Sequence, residues 1–411
     1  MNDKDKNFHG VDRREFLKLL AAAGFGAMLP GGAWAEEDMG PAGPAPTIPR
    51  RAFGRTGEQV SMLSVGGILN LVDNQMLLHR ALQLGATYWD TAASYTQGRS
   101  EEGIGRFFEA NPEARPRVFL VTKSGARNPA GLTGELNRSL ERMHTDWVDL
   151  FLLHGVKDIG ALNDEIKAWV ERAKREKKIR FFGFSTHSNM ADCMAGAAKL
   201  GWVDGLMAKY DFRLMREEPM KRAVEACAQA GIGLTAMKTQ GGGPVPADGG
   251  AEADLAAAFV ARGFTPGQAK LKAVWANPAI ASICSQMGNI RLLNENAAAA
   301  MDRVSLTHAD EAALGRYAAR TACGYCAGCA RICETAAGGL PIADLMRCLM
   351  YERQYGAPEL ASETFRQVSA RKLRRLGPHS LAAAETACPQ GLPIGRLVAE
   401  ALHRWKGQDI G

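Results

Sequence analysis

Short apolar runs alternate with segments of helical periodicity along the middle of the chain. The runs predicted to be strands are Val60–Val65, Ala86–Asp90, Val118–Thr122, Trp147–Leu153, Ile179–Ser185, Gly205–Lys209, Gly233–Met237 and Ile280–Ser285. In the intervening segment Glu165–Lys177, apolar residues take the i, i+3, i+4, i+7 spacing of one helix face: Ile166, Trp169, Val170 and Ala173. Eight strands alternating with helices predict a (β/α)8 TIM barrel over residues 51–306, with a doubly wound parallel sheet as the alternative.

The pattern changes after Val304. No further strand-like run follows, and Cys, Arg and Ala become frequent, so residues 307–411 are predicted to form a small helical domain. Over all 411 residues, 46% are hydrophobic and 23% charged, which excludes a largely disordered chain. The excess of Lys and Arg over Asp and Glu (50 against 44) is spread out, with no basic stripe interleaved with aromatics. We therefore expect no nucleic-acid partner.

The N-terminus has the layout of an export signal. A polar segment, Met1–Lys18, precedes an apolar segment, Leu19–Ala35, that ends in Ala-Trp-Ala. Arg13 and Arg14 stand just before Phe-Leu-Lys, as in twin-arginine signals. Residues 1–35 are therefore predicted to be a signal peptide for the twin-arginine (Tat) export machinery, followed by a Pro/Gly linker over residues 36–50. The mature protein is expected to be periplasmic or otherwise exported, with no membrane span, because no later run of about 18 apolar residues occurs.

Four chemically useful residues fall near the ends of successive predicted strands. Asp90, Lys123 and His154 lie at or just past a strand end, and Tyr95 lies on the loop after one. In a barrel these ends form the mouth, where catalytic side chains converge. A buried ammonium beside a phenol favours the phenolate, so Lys123 is expected to lower the pKa of Tyr95. Tyr95 would then exchange a proton with a reacting oxygen, and His154 would donate a second hydrogen bond to it.

The surrounding motifs resemble the aldo/keto reductase family over about residues 53–296. The motifs are Asp90-Thr91-Ala92 with Tyr95 and Gly98-Arg99-Ser100-Glu101, Thr122-Lys123, Asp149-Leu150 leading to His154, and Glu295-Asn296. The resemblance implies a (β/α)8 barrel and hydride exchange between NADP or NAD and a carbonyl or alcohol. It also places the family's catalytic tetrad on Asp90, Tyr95, Lys123 and His154, with Tyr95 as general acid/base.

The coenzyme side departs from the family pattern. The resemblance implies a set of coenzyme-binding residues made of Ser185, Thr186, Arg291, Glu295 and Asn296. Gln286, Met287 and Leu292 stand where many members place the residues that hold the 2′-phosphate. Since phosphate is bound chiefly by charge-assisted donors, the choice between NADP and NAD stays open.

The tail carries a cysteine run with the spacing C-x2-C-x2-C-x3-C, formed by Cys323, Cys326, Cys329 and Cys333. This is the spacing of bacterial ferredoxins, whose fourth Cys serves a second cluster. The later Cys388-Pro389 lacks a cysteine triad of its own. The prediction is one [4Fe-4S] cluster on Cys323, Cys326, Cys329 and Cys388, with Cys333 in place of Cys388 as one alternative. Zinc and disulfides are the others.

Together these features predict an exported oxidoreductase that acts on a small carbonyl or alcohol. Its cluster would pass electrons, with a redox partner protein, or stabilise the tail domain. The alternative is a non-catalytic electron-transfer or interaction module on a barrel with a decayed coenzyme site.

Overall fold

The computed structural model describes residues 46–405. Within this range eight parallel strands close into a barrel in the order β10-β3-β4-β5-β6-β7-β8-β9. Their bounds are β3 Leu63–Gly66, β4 Tyr88–Asp90, β5 Phe119–Ser124, β6 Val148–Leu153, β7 Ile179–Thr186, β8 Gly205–Lys209, β9 Gly233–Met237 and β10 Ile280–Ser285. The predicted barrel is thus confirmed. The predicted signal peptide and residues 36–45 of the predicted linker lie outside the described residues.

The first predicted strand, Val60–Val65, is divided in two. Residues Gln59–Ser61 form β2, which pairs antiparallel with β1 (Arg50–Ala52) outside the barrel. The break falls at Met62, whose N–H donates to Pro49 while its carbonyl accepts from Ile283. Both halves are buried, so the apolar pattern continues across the break and hides it.

Helices pack around the barrel between the strands. They are α1 Gln75–Gln83, α2 Arg99–Ala110, α3 Pro129–Arg142, α4 Asp164–Arg175, α5 Met190–Leu200, α6 Glu218–Gln229, α7 Gly249–Val260, α8 Pro266–Trp275 and α9 Ile290–Met301. Helix α4 shows why they form: the Asn163 side chain accepts from the Ile166 N–H at its start, and basic residues fill its last turn. The four apolar residues of the predicted face are buried against the barrel.

Aromatic side chains fill the inside of the barrel below the mouth. The Phe53 ring lies among Tyr88 and Phe119, with ring centroids 6.2 and 5.4 Å away. Gly205 and Gly233 make room for it, because a Cβ at either position would lie 2.7 or 2.5 Å from the Phe53 ring. The interior is therefore a packed core, and the free space lies above it, at the carboxyl ends of the strands.

The tail is helical, as predicted, and no strand follows β10 up to residue 405. Its helices are α10 His308–Arg320, α11 Ala330–Ala336, α12 Ile342–Tyr355, α13 Pro358–Arg366, α14 Ala370–Leu373, α15 Pro378–Ala387 and α16 Ile394–Trp405. Among residues 46–405, no helix combines the length and apolar composition that a bilayer crossing requires.

The tail's hydrophobic packing does not begin at the predicted boundary of residues 306/307. Helix α10 packs onto the barrel helices, where Leu314 and Tyr317 share an apolar cluster with Leu255 and Phe259. The tail's own core is formed by residues after α10, including Leu349 and others from α12 to α16. The first tail helix therefore belongs to the barrel's packing.

The tail lies directly on the loops at the barrel mouth. A Cβ on Gly243 would lie 2.0 Å from the Gly324 carbonyl oxygen, and one on Gly328 would lie 2.5 Å from the His187 oxygen. Lys209, the last residue of β8, donates to the Cys326 carbonyl at 2.5 Å. The cysteine run is thus packed against backbone from three strand-end loops of the barrel.

Candidate active site

Three members of the predicted tetrad form one buried hydrogen-bonded group. Lys123, near the end of β5, donates to Asp90 Oδ1 at 2.6 Å, to the Thr91 carbonyl at 2.8 Å and to the Tyr95 hydroxyl at 3.2 Å. Lys123 and Asp90 are 1% and 2% exposed. Adjacent parallel strands bring the two residues together, because β4 and β5 pair with their carboxyl ends at the same edge.

Tyr95 is aimed by a strained turn. It begins the 3-10 turn Tyr95–Gly98, in which Thr96 and Gln97 take left-handed φ angles of +48° and +58°. Such angles cost on the order of 1–3 kcal/mol for a residue other than glycine. Thr96 Oγ1 donates to the Leu69 carbonyl at 3.3 Å, and this contact helps to hold the turn. The chain thus maintains strain next to the phenol.

His154 directly follows β6 and completes the group. Its ring meets the Tyr95 ring edge-on, with centroids 5.6 Å apart. Burial, followed by the positive charges of Lys123 and Arg347, lowers the pKa of His154 well below its usual value. The imidazole is therefore neutral at neutral pH, and in this form it can donate one hydrogen bond to a substrate oxygen.

The expected lowering of the Tyr95 pKa is wrong for this structure. Burial raises the pKa of Tyr95 well above its usual value, and the Asp90 carboxylate raises it further. The physical reason is that Lys123 lies closer to Asp90 than to the phenol, so its charge is matched by the carboxylate. Tyr95 is consequently protonated at neutral pH, which suits a proton donor.

The tetrad opens onto one large cavity of about 1170 Å³. Asp90, Tyr95 and His154 line its floor, and Met207 and Met237 line the region beside them. The cavity continues to the end of β10 and the start of α9, where Gln286, Asn289, Glu295 and Asn296 line it. A single space therefore connects the tetrad with part of the predicted coenzyme site.

The structure brings only part of the predicted coenzyme-binding set to this cavity. Glu295 and Asn296 line it, whereas Ser185 and Thr186 are buried behind it. The Ser185 hydroxyl accepts from the Gly155 N–H at 3.1 Å, and the Thr186 hydroxyl donates to the Ser188 carbonyl at 2.8 Å. The side chain of Arg291 is 82% exposed and pairs with Glu295 at 3.0 Å.

The sequence analysis missed the tail's contribution to the site. Helix α12 lies over the mouth, and one of its faces lines the cavity with Asp344, Arg347, Tyr351 and Gln354. These residues follow an i, i+3, i+7, i+10 spacing, which is a polar stripe on an otherwise buried helix. That stripe was the signal available in the sequence. His187 and Lys238, from the loops after β7 and β9, also line the cavity and were missed.

The cysteines gather at a second, smaller cavity on the other side of α12. It is lined by Cys326, Cys329, Cys333 and Cys388, together with apolar residues that include Ile342 and Met346 of α12. This set differs from the predicted ligands in one member: Cys323 is exposed and is not among the lining residues. Cys333 is buried instead, because it lies on α11, which packs against α15.

The thiols are not arranged as a finished metal site. All nine cysteines are free, so none of them forms a disulfide. Among residues 46–405, no three His, Cys, Asp or Glu side chains are grouped closely enough to hold a metal ion. The chemistry of four thiols around one cavity nevertheless fits a [4Fe-4S] cluster, once their side chains turn toward a common centre.

Known proteins share the barrel. The chain is 31% identical over 215 residues to the aldo-keto reductase yakc [NADP(+)] of Schizosaccharomyces pombe, covering 48% of this chain and 59% of that protein. It is 27% identical over 285 residues to the uncharacterized oxidoreductase YqkF of Bacillus subtilis, covering 62% and 92%. The chain thus spans about three fifths of the length of the yeast relative.

Solved structures agree on the fold. The holo form of the aldo-keto reductase AKR11C1 from Bacillus halodurans superposes with a TM-score of 0.56 at 20% identity, covering 66% of this chain and 96% of that one. The profile of the Aldo/keto reductase family matches residues 64–283, a span that contains all four tetrad residues. With more than half of the chain matched, the protein belongs to the aldo/keto reductase family.

Proposed function

We propose that the protein is an oxidoreductase that reduces a small carbonyl compound with a nicotinamide coenzyme, using Tyr95 as the proton donor. The observation that carries the proposal is the buried Asp90–Lys123–Tyr95 group, which opens onto a cavity large enough for two ligands. Membership of a family of oxidoreductases, and a relative whose name specifies NADP(+), support it.

The chemistry divides between coenzyme and protein. A bound reduced coenzyme supplies a hydride to the carbonyl carbon. Tyr95 gives its phenol proton to the carbonyl oxygen, so that the product is an alcohol, and it regains a proton from solvent. The Lys123 ammonium stabilises the transient phenolate, and neutral His154 donates a hydrogen bond to the same oxygen. Reversal of these steps oxidises an alcohol.

The residues that would hold the coenzyme are Gln286, Asn289, Glu295 and Asn296 at the β10 end of the cavity. Arg291 would reach a 2′-phosphate only by leaving Glu295. Because this cost falls on NADP alone, NAD is the matched comparison for measuring coenzyme choice.

The direct test is coenzyme oxidation by the purified protein. NADPH and NADH are each offered with a set of small aldehydes and ketones, and loss of coenzyme absorbance is compared with alcohol formed. We expect one alcohol per coenzyme oxidised. If neither coenzyme is consumed but one binds tightly, the protein is instead a non-catalytic module on a barrel with a decayed site. Ser185 and Thr186, already occupied by backbone partners, favour this second candidate.

We further propose that the tail holds one [4Fe-4S] cluster on Cys326, Cys329, Cys333 and Cys388, the four thiols around the second cavity. Such a cluster exchanges single electrons when bound. Its role would be electron exchange with a redox partner protein or stabilisation of the tail. The position of Lys209, whose ammonium donates to the Cys326 carbonyl, supplies positive charge beside these thiolates.

Export through the twin-arginine pathway is the remaining part of the proposal, and it rests on the sequence of residues 1–35. Replacing Arg13 and Arg14 together by Lys keeps the charge but removes the paired guanidinium groups. We expect the precursor to accumulate uncleaved in the cytoplasm, measured by fractionation and immunoblotting. Lys4→Arg, in the same polar segment, is the control. Normal export of the double variant would show that the signal is misassigned.

A further inference from the structure

Lys238 is a cation without an anionic partner. It follows β9 with a left-handed φ of +58°, and its side chain lines the catalytic cavity. Its ammonium donates to the Tyr351 hydroxyl at 2.7 Å and lies 4.3 Å from the centre of that ring. Within residues 46–405, no carboxylate forms an ion pair with it. A partly buried ammonium held only by a phenol and aromatic rings retains unused capacity to bind an anion.

The neighbouring charges leave this side of the cavity positive. Arg347, one turn before Tyr351 on α12, pairs with Asp344 at 2.9 Å, and Asp344 also pairs with Lys157 at 2.5 Å. One carboxylate therefore serves two cations, and Lys238 adds a third. Glu363 of α13 lines the same cavity, but among the described residues it forms no ion pair with any of the three.

The imidazoles in the cavity report the same excess. The pKa of His187 is lowered well below its usual value by burial and then by Lys238 and Arg347, as for His154. Burial and Arg347 lower the pKa of Lys238 to about 7. Both histidines are thus neutral donors rather than competing cations.

A second, independent feature also points to a missing ligand. The Tyr355 hydroxyl is buried and has no hydrogen-bond partner among the described residues. Tyr355 lines the catalytic cavity, and its ring lies 5.8 Å from the Lys238 ammonium. A buried hydroxyl without a partner costs about 1–3 kcal/mol, which a bound acceptor would recover.

We propose, building on the proposed function, that the substrate is a carbonyl compound bearing a carboxylate, and that Lys238, Arg347 and Tyr351 bind this carboxylate. The tail then supplies half of the substrate site: the barrel provides Tyr95 and Lys238, and α12 provides Arg347 and Tyr351. Charge-assisted hydrogen bonds to a carboxylate are short and strong, so this contact sets the substrate class.

The test measures binding without turnover. Benzoate and its neutral isostere benzamide are titrated by calorimetry into the full-length protein with oxidised coenzyme present. We expect benzoate to bind about 10- to 100-fold more tightly, the factor expected for a hydrogen bond to a charged group. Lys238→Met should remove the preference by weakening benzoate alone. Lys167→Met, on the exposed face of α4, is the matched control and should leave both affinities unchanged.

A proton-linked signal is expected as well. The charged or titratable groups around Lys238 are Arg347, Tyr351 and Tyr355 of the tail, and Lys123, Cys284, His154 and His187 of the barrel. With a pKa of about 7, Lys238 is largely neutral at pH 8, and a bound carboxylate favours its charged form. Benzoate binding at pH 8 should therefore take up a proton, seen as a heat that changes with the buffer.

Each result decides the inference. Equal affinity of the wild-type protein for benzoate and benzamide, or no binding of either, overturns it. An equal loss of NADP+ or NAD+ affinity in Lys238→Met also overturns it, because the site would then belong to the coenzyme's phosphates. Arg347→Met is read in the same way if Lys238→Met does not fold. A benzoate preference in a protein that reduces no carbonyl supports the anion site and counts against the proposed function alone.

Discussion

Replacing Tyr95 by Phe should lower kcat for carbonyl reduction by about 10²- to 10⁴-fold and leave coenzyme affinity unchanged. The substitution removes only the hydroxyl that Lys123 contacts at 3.2 Å, and the ring's edge-on contact with His154 can persist. The measurement is steady-state kinetics with a neutral aldehyde, together with coenzyme binding by fluorescence quenching. A variant with the wild-type kcat would exclude Tyr95 as the proton donor.

The matched control is Tyr88→Phe. Tyr88 is equally buried but lies inside the barrel, where its hydroxyl bonds to Thr235 at 3.0 Å. This variant loses a buried hydroxyl without touching the cavity, so it should lose stability and keep its kcat. The pH profile adds a second check. Because the pKa of Tyr95 is raised, wild-type reduction should persist up to at least about pH 10, the ordinary value for a phenol.

Iron should be lost almost completely from Cys388→Ser and from Cys333→Ser, and retained in Cys323→Ser. Cys333 and Cys388 line the small cavity in the tail, and Cys323 is exposed outside it. A cubane of this kind is held by four thiolates, so losing one ligand should release or severely weaken the cluster. The measurement is iron and sulfide per protein after purification without oxygen, with the visible absorbance of the cluster as a second signal.

Cys348→Ser is the control for this series. Cys348 is a buried thiol of the same tail that does not line the cavity, so it tests whether any buried substitution releases iron. Iron loss from Cys323→Ser with retention in Cys333→Ser would restore the ligand set expected from cysteine spacing alone. Zinc in place of iron in the wild-type protein would exclude the cluster.

The strands were predictable because each buried barrel strand is a short continuous apolar run. Gly205–Lys209, Gly233–Met237 and Ile280–Ser285 were predicted with the bounds that the structure has. The division at Met62 was not, since it depends on backbone pairing with Pro49 and Ile283 rather than on side-chain polarity. Local pattern fixes which residues are extended, but not which neighbour they pair with.

The site was predictable where strand order fixes position. Asp90 and Lys123 end adjacent strands, so the sequence alone placed them together. The protonation state of Tyr95 was not predictable, because it depends on the balance of burial, a carboxylate and an ammonium within a few ångströms. Nor was the contribution of Arg347 and Tyr351, since nothing in the sequence places α12 over the barrel mouth.

Helix α12 forms a wall of both cavities. Asp344, Arg347 and Tyr351 line the catalytic one, and Ile342 and Met346 line the one with the cysteines. Any ligand that shifts this helix at one cavity must therefore change affinity at the other by the same factor, because coupling free energies are reciprocal. Iron bound in the tail and substrate bound in the barrel are in this sense effectors of each other. Selection on either site acts on the same helix.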